Sequence, residues 1–157
     1  MFSKSALFAV AFAGIAAAEH HTITMINKCG RGTPTLVRQG NIVSTGAPYS
    51  ANEAIPATIA FLQTGGCDRL NGAGCMTCEL TLKNPDPGAP GSGSSVDLSL
   101  IPPLAFNVPI SFKYTNGCSN GASCPNAGCH DVFRKPDDYF AQRACQVNDV
   151  NLEITFC

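Results

Sequence analysis

Asn151-Leu-Glu-Ile-Thr-Phe-Cys157 alternates apolar and polar side chains without a break, with Leu152, Ile154 and Phe156 on one face and Glu153 and Thr155 on the other. That period of two is the signature of a strand with one buried face. The stretch runs into a cysteine, and a cysteine at the end of a strand suggests that the segment is tied down. Strict alternation puts Cys157 on the polar face with Glu153 and Thr155, so the strand must end or twist for the thiol to reach a partner.

Working outward, the same pattern recurs in Thr22–Asn27 (TITMIN), in Cys78–Leu82 (CELTL) and in Ser95–Leu100 (SVDLSL). In Phe106–Phe112 (FNVPISF), Val108, Ile110 and Phe112 alternate with Asn107, Pro109 and Ser111. Pro109 has no N–H to give a ladder, which places this run at an edge or at a bulge. No segment sustains a long helical period. The run Lys135–Gln146 (KPDDYFAQRACQ) fits one short helix, with Pro136 in the first turn and Asp137 and Asp138 at its positive end. Lys83–Ser95 (KNPDPGAPGSGSS) is a surface loop rather than a domain boundary, because neither flank could bury a core alone. These features together predict one all-β domain.

The 157 residues suit a single domain behind a leader. Residues 1–18 carry Lys4, an apolar run from Ala6 to Ile15 and small residues at Ala16-Ala17-Ala18, the pattern of a secretory signal peptide cleaved after Ala18 or one residue earlier. The apolar run is too short for a permanent membrane span. Residues 19–157 then form the mature domain, and all nine cysteines fall within it. Secretion with that cysteine density implies disulfides, and an odd count leaves at least one cysteine without an intrachain partner. Lys4 is the only charge in the leader, so the mature chain carries nine basic and eleven acidic residues, net −2. This balance offers neither a basic stripe for nucleic acid nor a polybasic patch for a membrane. The chain has no Asn-x-Ser/Thr sequon.

Several of these stretches resemble the thaumatin-like (osmotin-type, pathogenesis-related) family. TITMINKC resembles its opening strand and first cysteine. VDLSLI followed by FNVPISF resembles its central Asp-containing strand and the Asn-x-Pro strand behind it. GCHDVF resembles its Gly-Cys-Asn region, and NLEITFC its closing strand and last cysteine. The run CHDVFRKPDDYFAQRAC is also similar to small secreted thaumatin-type glycopeptides of mushroom-forming fungi. The matched blocks keep the family's order over most of the mature chain, whose middle, disulfide-rich region is abridged.

The resemblance implies a flattened β-sandwich with disulfide-stapled loops, first and last strands adjacent, and a Cys29–Cys157 bond. Closing so long a loop removes on the order of 4–5 kcal/mol of unfolded-state entropy, an upper figure. It also implies Cys67–Cys75 and, with less family support, Cys124–Cys145, leaving Cys78, Cys118 and Cys129 for one bond and one free thiol.

The family's acidic cleft is associated with binding, and sometimes cleaving, β-1,3-glucan. Of its five charged positions, Glu79 matches the glutamate and Asp97 the first aspartate. The arginine position falls on Gln63, the second aspartate on the insertion near Pro102, and the third in a deleted segment. Asp68 or Asp149 could substitute. Glu79 and Asp97 lie on the polar faces of their strands, so neighbouring strands could present both to one groove as catalytic or substrate-binding carboxylates. Gln63, Asp68 and Tyr114 complete the candidate binding set. There is no Trp, and Tyr49, Tyr114 and Phe61 remain as aromatic platforms, with a core role favoured for Phe61.

The expectation is a secreted monomer in the extracellular space or cell wall, without cofactor or metal, that binds β-glucan or another wall polysaccharide in a defence, antifungal or wall-remodelling role. The alternatives are a weak endo-β-1,3-glucanase using Glu79 and Asp97, and a non-catalytic scaffold for a protein partner. Three further patterns carry less. Cys75-Met-Thr-Cys78 has the spacing of a zinc or redox pair, but disulfides win in a secreted chain. Cys129-His130-Asp131 suggests a nucleophile, but adjacent strand residues point apart. Glu19-His20-His21 would place a histidine third from a new amine, a chelating geometry for Cu(II).

Overall fold

The computed structural model describes residues 19–157; the signal peptide expected at 1–18 lies outside the described residues. Eleven strands form two sheets. The five-stranded sheet has the order β4 (Tyr49–Ala51), β1 (His21–Asn27), β11 (Asn151–Phe156), β8 (Ile110–Thr115), β9 (Gly121–Cys124). The six-stranded sheet has the order β10 (Arg143–Cys145), β7 (Ser94–Ser99), β6 (Thr77–Leu82), β5 (Ile55–Gln63), β2 (Thr33–Arg38), β3 (Asn41–Ser44). Pairing between these strands is antiparallel except for β1 and β11, the first and last, which lie parallel.

Alternation decides which side chains face inward. Ile23 and Met25 of β1, Phe112 and Tyr114 of β8, and Leu152, Ile154 and Phe156 of β11 form one wall of the core. Leu36, Ala60, Leu62, Leu80, Leu82, Val96 and Leu98 form the other. Each large apolar side chain contributes about 1.5–3 kcal/mol on burial. Packing two such faces gives a β-sandwich.

Cys29 and Cys157 are bonded, with Cα atoms 5.1 Å apart. The strand stops at Phe156, whose carbonyl accepts from Lys28 N–H at 2.9 Å, and Cys157 turns away with φ 57°. That reversal brings the thiol off the polar face. Cys157 N–H donates to the Pro109 carbonyl at 2.9 Å. Pro109 itself precedes β8, so its missing N–H costs no ladder bond and β8 sits inside its sheet, not at an edge or bulge as expected.

Cys67–Cys75 is also formed, closing a loop that covers the outer face of β5. Gly72 has φ +71°, and a Cβ there would meet the Thr77 methyl at 2.7 Å and the Phe61 ring at 3.2 Å. Only glycine lets that loop lie so close. The expected Cys124–Cys145 bond is absent. Cys145 pairs with Cys118, and Cys124 with Cys129. The reason lies in the path of β10, which runs beside the β8–β9 turn: Asn120 Nδ2 donates to the Ala144 carbonyl at 3.0 Å, and Arg143 Nε to the Gly121 carbonyl at 3.0 Å. Cys124 is three residues further along β9, roughly 10 Å away, beyond the ~4.4–6.8 Å Cα separation of a disulfide. Cys78 is the free cysteine, and it is buried.

The expected helix over Lys135–Gln146 shrinks to a 3-10 turn at Tyr139–Ala141. Asp138 Oδ2 instead accepts the N–H groups of Arg134 and Lys135, and Arg143–Cys145 is drawn into pairing with β7. Tertiary pairing and a disulfide at Cys145 leave no length for a second turn. Four disulfides fit an oxidising compartment. Among the described residues no helix is long and apolar enough to cross a membrane.

Candidate functional site

β6 and β7 form a hairpin joined by the Pro/Gly/Ser-rich loop, and its register sets Glu79 directly opposite Asp97. Leu80, Val96 and Leu98 take the inner face, so both carboxylates point outward. Directly opposed side chains on one face have Cβ atoms ~4.5–5.5 Å apart, and like charges so placed repel. Ile59 of β5 is the next residue in the row, opposite Glu79 on its other side.

These residues line a groove of about 500 Å³ with Thr81, Ser95 and Gln142. Gln142 reaches over from the chain outside β7, its Nε2 donating to Ser95 Oγ at 2.6 Å. A second hollow of about 340 Å³ lies on the far side of Glu79, among Asn71, Ser99, Ile101 and Pro103. Glu79 lines both, so the two hollows meet at its side chain.

Burial, and then the charge of Glu79, pushes the Asp97 carboxyl up to about 7. Glu79 Oε1 accepts a hydrogen bond from Thr77 Oγ1 at 3.2 Å. A protonated Asp97 can donate to a ligand oxygen while the Glu79 carboxylate accepts from a ligand hydroxyl. Beneath them Cys78 faces the core, and burial, with the two carboxylates adding, raises its thiol well above the ordinary range.

The structure brings Glu79 and Asp97 together and places the other candidates elsewhere. Gln63 holds the Cys67 loop: its Nε2 donates to the Cys67 carbonyl at 2.9 Å and its Oε1 accepts from Gly65 N–H at 2.8 Å. Asp68 closes the turn of the same loop by accepting from the N–H groups of Leu70 and Asn71, which hold its carboxyl below the usual range. Asp149 is likewise lowered, mainly by His20 N–H and then by the Asn84 side-chain amide. Tyr114 is in the core, its hydroxyl donating to the Arg143 carbonyl at 2.9 Å, so it presents no face to a ligand. Phe61 is fully buried, as favoured, and half-buried Tyr49 accepts a hydrogen bond from Arg38 at 2.9 Å. Gln142 carries no sequence signal, because its partner Ser95 is 47 residues away.

The three weaker patterns do not assemble. Cys75 is bonded to Cys67 while Cys78 is buried in the core, and Cys129 is bonded to Cys124. His21 is fully buried, with Nδ1–H donating to the Val150 carbonyl at 2.7 Å and Nε2 lying 3.2 Å from Glu19. His20 N–H donates to Asp149 at 2.9 Å, and His20 Nδ1 lies 2.7 Å from Asn52 Oδ1. A copper chelate through either imidazole and its flanking amides would have to strip these bonds.

No family model and no curated protein matches this chain. The thaumatin-like resemblance therefore rests on the motifs quoted above and their order.

Proposed function

We propose that this is a secreted thaumatin-like protein whose outer-face groove binds cell-wall β-glucan, in a defence, antifungal or wall-remodelling role. The observation that carries the reading is the acid pair itself: Glu79 and Asp97 oppose each other on the outer face of the sheet, where burial and then the charge of Glu79 push the Asp97 carboxyl up to about 7. A like-charged pair opposed across two strands is a cost to the fold, and costs of that kind cluster where ligands are handled. Thr81, Ser95 and Gln142 add hydroxyl and amide partners along the groove. This array of donors and acceptors suits the hydroxyl rim of a sugar.

The protein should co-sediment with insoluble β-1,3-glucan. A Glu79→Gln, Asp97→Asn double variant should bind roughly tenfold more weakly, a loss of ~1.4 kcal/mol. Undiminished binding by that variant would remove the groove from the account.

The raised Asp97 also favours a second reading, slow endo-hydrolysis, since glycosidases pair a protonated carboxyl with an ionised one. Release of reducing ends from laminarin that disappears in Asp97→Asn is the expected sign. A silent wild type ends this second reading and leaves the binding one intact.

A further inference from the structure

Tyr139 and Phe140 are 70% and 54% exposed, and they are consecutive. Aromatic rings held in water at the surface of a stapled domain need a reason. Floppiness is not the reason here. Asp138 Oδ2 accepts two backbone N–H groups at 2.9 and 3.2 Å, and Arg143 donates to the Phe140 carbonyl at 2.8 Å. His130 packs against Phe140 with ring centres 4.8 Å apart and planes tilted by 40°, and Phe133 meets Tyr139 edge-on at 6.4 Å. Cys118–Cys145 pins the segment just beyond.

The position of this excursion links it to the groove. The chain leaves the edge of β7 at Phe133, which bridges to Ser99 and donates to the Leu98 carbonyl at 2.9 Å. It returns to the same edge at Arg143, opposite Val96. Asp97 lies between those two attachment points. The residue before the return is Gln142, which lines the groove. The two exposed rings are thus carried on a rigid bracket fastened on either side of the raised carboxyl.

We propose that Tyr139 and Phe140 form a stacking shelf that receives the apolar C–H face of a pyranose ring in the glycan held by the acid pair. This rests on the reading of the groove as a glycan site. A sugar ring has hydroxyls around its rim and C–H groups on its faces. The groove supplies carboxylates and hydroxyls for the rim, and the shelf supplies apolar rings for the face.

The test uses the intact secreted protein, insoluble β-1,3-glucan and a short β-1,3-glucan oligomer. A Tyr139→Ala, Phe140→Ala variant should lose roughly tenfold in affinity, while Tyr139→Phe, Phe140→Tyr should keep it. Near-ultraviolet circular dichroism checks that each variant is folded. The chain has no Trp and three Tyr, and Tyr49 and Tyr114 are half-buried and buried, so oligomer binding should change tyrosine emission through Tyr139. Loss of binding in the alanine variant, with the emission change gone, supports the shelf. Full binding by a folded alanine variant, alongside loss in Glu79→Gln, Asp97→Asn, overturns the shelf and keeps the groove. Loss in the alanine variant with full binding by the acid-pair variant overturns the groove, and with it the placing of the shelf against a glycan held by the acid pair. A wild type that binds neither probe overturns both.

Discussion

On the outside of the five-stranded sheet Glu153 faces Lys113 across the β11–β8 pair, and on the outside of the six-stranded sheet Glu79 faces Asp97 across the β6–β7 pair. The positions are equivalent and the chemistry is opposite. Glu153 meets a cation at 2.9 Å, while Glu79 meets another acid. Beside the first pair lie Ser111, Ser123 and Thr155, in a hollow of about 440 Å³ that a second cation, Lys28, also lines. The second pair has no cation among the residues lining its groove, and burial, followed by the charge of Glu79, raises the Asp97 carboxyl. One sheet spends its outer charges on stability. The other leaves them uncompensated, and the candidate site lies there.

The comparison can be broken first at the support of the balanced sheet. Changing Cys29 and Cys157 together to Ser frees β1 and β11 and should cost about 2–4 kcal/mol, read as a lower denaturant midpoint. An unchanged midpoint would mean that the parallel ladder alone holds the sheet.

The second effect sharpens the contrast. The Asp97 carboxyl sits at about 7 in the fold against an ordinary 3.8, so the folded state binds its proton more tightly than the unfolded chain does. Its stabilising contribution is complete below the ordinary value and is lost as pH rises from about 4 to about 7. Asp97→Asn should therefore raise stability at pH 8 by about 1–2 kcal/mol after allowance for partial exposure and change little at pH 4. Equal melting curves at pH 8 would show that the acid pair carries no strain.

The smallest effect belongs to the balanced pair. Lys113 is 58% exposed, so Lys113→Ala should cost only ~0.2–1 kcal/mol, and that difference should shrink in high salt. A gain in stability would make the two pairs alike in consequence.

Strands β1, β6, β7 and β11 were legible because each buries one face and shows it as alternation. Strand β5 was not. Phe61 and Leu62 are both fully buried although they point to opposite faces, because the Cys67–Cys75 loop covers the outer end of the strand. A strand buried on both faces loses its period of two. The acid pair was legible for the same reason as its strands, since the alternation set both side chains outward and the hairpin made the strands neighbours. The rest of the site depends on long-range placement. Tyr114 looked available until its hydroxyl found the Arg143 carbonyl 29 residues away, and Gln142 entered the groove only through the path of β10. The missed disulfides follow from that same path.

The Cys29–Cys157 bond has a consequence for proteolysis. It places residues 29–157 within one covalent ring. A protease that cuts the exposed Pro/Gly loop between β6 and β7 opens the ring without dividing the molecule. The fragments stay joined through the bond, and the cut edges remain held in their sheets. Nicked protein should run as one band on a denaturing gel and separate into two only after reduction. A single cut in that loop therefore leaves one covalently joined molecule with its sheets still paired.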